Sequence, residues 1–169
     1  MTTACAGTPF SCRRCTIADV AVLVDFRLGF LSTTKCFDDR SRESMRIELA
    51  RMYESRLRSS AMCLWFCEIA GIPVASCGLL FRNGSRQGVR SIRARKAELM
   101  NVYTLPDFRR RGAASFLVPH VLAAARDMGI ELLVLQPTEL SRSLYARLGF
   151  TGDANGMSLE LHRAPIAMP

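Results

Sequence analysis

Residues 101–116 read NVYTLPDFRRRGAASF. An extended run stops at Pro106, and three arginines, Arg109, Arg110 and Arg111, lead into Gly112-Ala113-Ala114 and a helical pattern. At a helix start the first backbone N–H groups have no partner inside the helix. With the helix dipole they make an anion site. Gly112 has no Cβ, so a ligand can approach the main chain closely. Ala113 and Ala114 keep that surface low, and the arginines add charge at its rim. The junction is therefore built to hold an anion, a phosphate above all. It is not a P-loop, which needs G-x-x-x-x-G-K-[ST], because the stretch has no lysine. Nor is it a dinucleotide fingerprint, because it carries a single glycine. The pattern [QR]-x-x-G-x-[GA] fits at Arg109, Gly112 and Ala114.

Working outward, the 169 residues suit one domain, 49% hydrophobic and 22% charged, enough to bury a core. No apolar run reaches the roughly 18–20 residues that span a membrane. The start, MTTACAGTPFSCRRC, lacks a signal-peptide pattern. The expectation is a soluble, cytoplasmic protein. Net charge is +8, nearly all arginine, since the lysines are Lys35 and Lys96, and this favours anionic partners. Seven cysteines (Cys5, Cys12, Cys15, Cys36, Cys63, Cys67 and Cys77) make an odd count that argues for reduced thiols. Cys12-x-x-Cys15 stands without a second pair, and His120 and His162 lie far from it, so no metal is expected.

Along the chain, residues 10–15 read as extended, and Thr16-Ile-Ala-Asp19 resembles a capping box before an apolar helical stretch. A second helix is expected over 39–58. AMCLWFCEIA and IPVASCGLLF, joined by Ala70-Gly71, read as a hairpin. Residues 82–96 form a basic loop, and AELMNVYTL is the strand that ends at Pro106. A helix over 112–128 is closed by Gly129, and ELLVLQ reads as a buried strand. A short helix over 139–148 and two short strands near 150–152 and 156–162 finish the pattern. The order β-α-α-β-β-β-α-β-α-β-β predicts one α/β domain over 1–169. Its core spans about residues 12–161, around a mixed sheet of about six to seven strands and about four helices.

About thirty residues after the arginine turn stands SRSLYARLGF, residues 141–150. Strand, phosphate turn, helix, strand, then L-Y-x-x-x-G-F is the layout of the GNAT N-acetyltransferases. The chain resembles that family over about 12–161, most strongly over 97–150. The resemblance implies that acetyl-CoA is the cosubstrate. Its pyrophosphate would lie on Arg109, Arg110, Arg111, Gly112, Ala113, Ala114 and Ser115, and its pantetheine arm would pair with the strand edge at Val102, Tyr103 and Thr104. That pairing needs this strand and the next one in sequence splayed apart.

Acetyl transfer from a thioester to an amine sets three requirements. The amine must lose a proton, the tetrahedral oxyanion needs a donor, and the departing thiolate needs a proton or a hydrogen bond. Glu98 stands where family members with a glutamate base carry it, in the context Ala97-Glu98-Leu99-Met100. A solvated glutamate paired with loop arginines, with water carrying the proton, is the competing reading. Tyr145 matches the family tyrosine that points at the CoA sulfur, and a core tyrosine under Gly149-Phe150 is its alternative. N–H groups of Val102 or Tyr103 suit the oxyanion. Asn101 either lines the site or pins the splay, and it shares a face with Glu98 only if a bulge intervenes. Thr138 and Ser141 stand where the family often has an Asn and a small residue, which leaves their contact with pantetheine open.

Three functions compete: an N-acetyltransferase acting on a primary amine of a small molecule or peptide, a basic nucleic-acid-binding module, and a non-catalytic CoA-binding sensor. The second rests on Arg82, Arg86, Arg90, Arg93, Arg95 and Lys96, a segment with no aromatic residue for base stacking. The presence of both Glu98 and Tyr145 weighs against the third. Phe26, Phe30 and Phe37 line the acceptor pocket or the core. A homodimer is left open.

Overall fold

The computed structural model describes residues 3–4, 9–33, 37–81, 95–153 and 155–161. In chain order these build β1 (Thr3–Ala4), β2 (Phe10–Arg14), α1 (Val20–Leu31), α2 (Asp39–Arg58), β3 (Met62–Ile69), β4 (Ile72–Phe81), β5 (Lys96–Thr104), α3 (Ala113–Asp127), β6 (Leu132–Leu135), α4 (Arg142–Arg147), β7 (Thr151–Asp153) and β8 (Gly156–Glu160). The order is the expected one with the two-residue β1 added. One mixed sheet runs β1-β2-β3-β4-β5-β6-β8-β7. β5 and β6 pair in parallel, and the other neighbours pair antiparallel. The turn between β3 and β4 has φ 50° at Ala70 and 79° at Gly71, the primed geometry that matches strand twist.

Both faces of the sheet are covered by apolar side chains, which is why β3 reads as an unbroken apolar run. Cys63, Trp65 and Cys67 of β3 join the cluster under α3 with Leu117, Val118, Val121 and Leu122. Met62, Leu64 and Phe66 join the cluster under α1 and α2 with Leu23, Val24, Phe26 and Tyr53. The same alternation separates Cys12, in the first cluster, from Cys15, in the second. The two thiols of the Cys-x-x-Cys pair thus sit on opposite faces. Burial pushes the Cys12 thiol up to about 11. Among the described residues, no three His, Cys, Asp or Glu side chains group to hold a metal ion. No helix among them is long and apolar enough to cross a membrane. Residues 82–94 of the basic loop, with Cys5, Cys36 and His162, lie outside the described residues, while Arg95 and Lys96 are exposed.

One ion network ties β2, β3 and the start of α1. Arg13 Nε donates to Glu68 Oε1 at 2.6 Å, and its other nitrogens donate to both oxygens of Asp19 at 2.8 and 2.9 Å. The Arg13 guanidinium and the Thr16 N–H hold the Asp19 carboxyl at about 2, below the usual carboxylate range. A depressed carboxylate stabilises the fold above its unfolded pKa of about 4, and that stabilisation is lost as pH falls through about 4 to 2. Asp19→Asn should therefore lower unfolding free energy by about 1–2 kcal/mol at pH 7 and by almost nothing at pH 2. Denaturant melts at the two pH values check this, and a loss of equal size at both would refute it.

Candidate active site

The parallel seam is short. β5 runs nine residues, yet it pairs with β6 at Lys96↔Leu132, Ala97↔Leu133 and Glu98↔Val134 alone. Its other edge stays bonded to β4 as far as Ala75↔Thr104. From Leu99 to Thr104 β5 has no β6 partner, so this edge is open to an extended ligand. Val102, Tyr103 and Thr104 are the last residues along that edge. Val102 packs on the α3 face and Tyr103 on the α1/α2 face, so it is their backbone that faces the opening. Gly29 of α1 makes room for the Tyr103 ring, since a Cβ there would meet the phenol oxygen at 2.6 Å.

The open edge leads to the arginine turn. Arg110 has φ 59° and Gly112 has φ 91°, so two left-handed residues flank Arg111. Such alternation turns successive N–H groups to one side, the concavity that binds anions. Gly112 is the N-cap of α3, and the first intrahelical bond runs from Phe116 N–H to Gly112 O at 2.8 Å. The N–H groups of Ala113, Ala114 and Ser115 thus precede the helical ladder. Ala113 is buried, whereas Gly112 and Ser115 are exposed. Arg109 Nε donates to Thr104 O at 3.2 Å, with its guanidinium 5.7 Å from the Tyr103 ring centre. Arg111 lies 5.6 Å over Phe108, and all three arginines are exposed at the rim.

Tyr145 of α4 is buried on the α3 face, edge-on to Phe150 at 5.7 Å between ring centres. Burial raises its phenol pKa well above the ordinary value, with the nearby Cys77 adding to the effect. The phenol therefore keeps its proton at any working pH. Glu98, half-buried, faces a cleft of about 480 Å³ that it shares with Lys96, Val134, Gln136, Thr151 and Ser158. The lining of this cleft takes in the paired β5–β6 residues Lys96, Glu98 and Val134 and runs across β8 to Thr151 and Gly152. Thr138 and Ser141 bond to each other at the start of α4, Thr138 N–H donating to Ser141 Oγ at 2.9 Å. Their hydroxyls are thus engaged in capping.

A bulge resolves the position of Asn101. Between Ser76↔Tyr103 and Gly78↔Met100 the β5 strand carries one extra residue. Asn101 takes up the extra residue with φ 55°. Asparagine tolerates that conformation better than most residues. The bulge re-aims its side chain, so that Asn101 bonds to α2 while Met100 packs on the same α1/α2 face. Asn101 Nδ2 donates to Tyr53 Oη at 2.8 Å, and Ser76 Oγ donates to Asn101 O at 2.9 Å. Burial pushes the Tyr53 phenol up to about 12, which makes it a neutral hydrogen-bonding partner and not a base. Asn101 Oδ1 is buried without a hydrogen-bond partner. An unpaired buried carbonyl costs about 1–3 kcal/mol. Sequence reasoning singled out Asn101 but not Tyr53. Phe26 is buried against Phe66 and Tyr103, and Phe30 is half-buried beside Tyr103. Phe37 is half-buried before α2.

The parted β5–β6 seam thus leads to the arginine–glycine turn, with Tyr145 buried on the α3 face and Glu98 facing the cleft. The model of the acetyltransferase (GNAT) family matches residues 30–150, and the chain belongs to this family of N-acetyltransferases. A glucosamine 6-phosphate N-acetyltransferase of Trypanosoma brucei brucei is 26% identical over 116 residues, which is 68% of this chain and 76% of that protein. A GCN5-related N-acetyltransferase from Ralstonia eutropha aligns with a TM-score of 0.72 and 24% identity over 94% of this chain and 99% of that one. A predicted acetyltransferase from Clostridium acetobutylicum, solved with acetyl-CoA, aligns with a TM-score of 0.73 and 22% identity over 90% of this chain and 96% of its own.

Proposed function

We propose that the protein transfers an acetyl group directly from acetyl-CoA to a primary amine of a small molecule. The open β5 edge running into the Arg109–Ser115 turn carries this reading, because it offers a pairing edge and an anion cradle in series. The pantetheine arm pairs with Val102, Tyr103 and Thr104. The pyrophosphate sits on the N–H groups of Gly112, Ala113, Ala114 and Ser115, with Arg109, Arg110 and Arg111 around it. Glu98 takes the ammonium proton, directly or through a water in the cleft. The amine nitrogen then attacks the thioester carbon, and the developing oxyanion is held by the Val102 or Tyr103 N–H. The C–S bond breaks as Tyr145 donates its proton or hydrogen bond to the leaving thiolate, while the nitrogen gives up its second proton to water, which restores the phenol if it was spent.

Titrating the protein with acetyl-CoA in a calorimeter tests the first half. One saturable site in the micromolar range is expected, and no heat at millimolar ligand would overturn the reading in favour of a nucleic-acid partner. Glucosamine 6-phosphate is the first acceptor to assay, because the Trypanosoma relative is named for it. Turnover with any amine excludes the non-catalytic sensor. Tyr145→Phe should slow kcat roughly 10- to 100-fold with acetyl-CoA affinity within a few-fold. A fully active mutant would remove Tyr145 from the chemistry.

A further inference from the structure

Beside the β5 bulge, on the α1/α2 face, lies a notch of about 10 Å³, the room of one small polar group. Phe26, Arg27 and Phe30 of α1, Tyr53 of α2, and Asn101 and Tyr103 of β5 form its walls. Asn101 is fixed there by its Tyr53 bond and by the Ser76 bond to its carbonyl. Its Oδ1 is buried with no partner. Arg27 is on the same wall as Phe30, with its guanidinium 5.2 Å from that ring centre. Among the described residues no ion pair engages it. Asn101 and Arg27 thus border the same notch, the one with a buried side-chain oxygen that lacks a donor and the other with a guanidinium that no ion pair among the described residues engages.

Two unmatched requirements meet in this notch. A carboxamide oxygen has only lone pairs and needs N–H or O–H donors, while a guanidinium has only donors and needs oxygens, best a carboxylate or phosphate. A molecule that satisfies both must donate at one end and carry negative charge a few bonds away. An amino group is the donor that acetyl transfer requires, and the notch admits an unhindered one. Tyr103, whose N–H is a candidate oxyanion donor, is part of the same wall.

We propose that Asn101 Oδ1 receives the acceptor's primary amino group, and that Arg27 holds an anionic group, carboxylate or phosphate, borne by the same small molecule. This rests on the acetyl-transfer reading above and adds to it a class of acceptor, the small anionic primary amine. Asn101 positions the nitrogen with its lone pair free for the thioester carbon, and Arg27 selects among amines.

The test is acetyl transfer at saturating acetyl-CoA, followed by mass spectrometry. The acceptors are glycine and β-alanine (carboxylate), 2-aminoethyl phosphate (phosphate), and ethylamine (no anion). The anionic amines should exceed ethylamine in kcat/KM by about 10- to 100-fold, the range of a hydrogen bond to a charged group. Comparison of glycine and β-alanine with the phosphate probe tells which anion is preferred. Arg27→Gln should bring the ratio to about one, and a ratio is insensitive to loss of folded protein. Asn101→Gly tolerates φ 55° and should raise KM for the amine at least 10-fold more than it weakens acetyl-CoA binding. Equal turnover of ethylamine and the anionic amines, or an undiminished ratio in Arg27→Gln, sinks this inference and leaves acetyl transfer standing. Transfer to none of the four and none to glucosamine 6-phosphate, with acetyl-CoA bound, counts against both.

Discussion

Gly112→Glu protein will fold and lose more than about 100-fold in acetyl-CoA affinity. Two effects act together. Gly112 has φ 91°, where a Cβ costs about 1–2 kcal/mol, a cost that the free turn relieves by leaving this conformation and that acetyl-CoA binding must restore. The added carboxylate also stands at the N-terminus of α3, where the pyrophosphate is proposed to bind, and repels it. About 3 kcal/mol in all corresponds to at least a hundredfold. Folding survives because Gly112 is exposed and a Cβ there would come no nearer than 3.9 Å to Phe10. Gly112→Ala separates the effects: it keeps the strain, omits the charge, and should cost about tenfold. Calorimetric titration of the wild type and both variants decides the matter. Acetyl-CoA affinity unchanged in Gly112→Glu would remove the turn from the site.

Glu98→Gln is expected to lower kcat/KM on the neutral plateau by about 100-fold, at the low end for loss of a general base. The pH profile carries the argument. A base acts only when ionised, so wild-type kcat/KM has an acid limb that rises with pH and then levels. The amide cannot titrate, so the variant lacks that acid limb, and the two enzymes converge as pH falls. Acetyl-CoA affinity should stay within a few-fold, because Glu98 faces the cleft beside Lys96 and Ser158 and not the arginine turn. A variant that keeps the wild-type acid limb would assign proton removal to water alone.

Different ranges of interaction made parts of this protein legible in the sequence. The span of α2, Asp39–Arg58, matched its reading because apolar spacing and an Asp38 cap are local signals. The Ala70-Gly71 turn was legible for the same reason, as was the helix start at the Gly112 junction. Tyr145 was singled out through its motif, but its raised pKa depends on burial against Phe150 and proximity to Cys77, which no local pattern encodes. Arg13, which joins residues 6 and 55 positions away, drew no attention in the sequence.

The sequence by itself determined the elements, their order, and the arginine–glycine turn, because each is decided by backbone conformation and side-chain pattern within a few residues. Tertiary structure alone decided how far β5 and β6 pair, three positions and no more. It also decided that the bulge turns Asn101 toward Tyr53, 48 residues away in sequence. Sheet register and bulges are set by packing both faces of the sheet at once against helices distant in the chain, and alternation along one strand cannot report that balance.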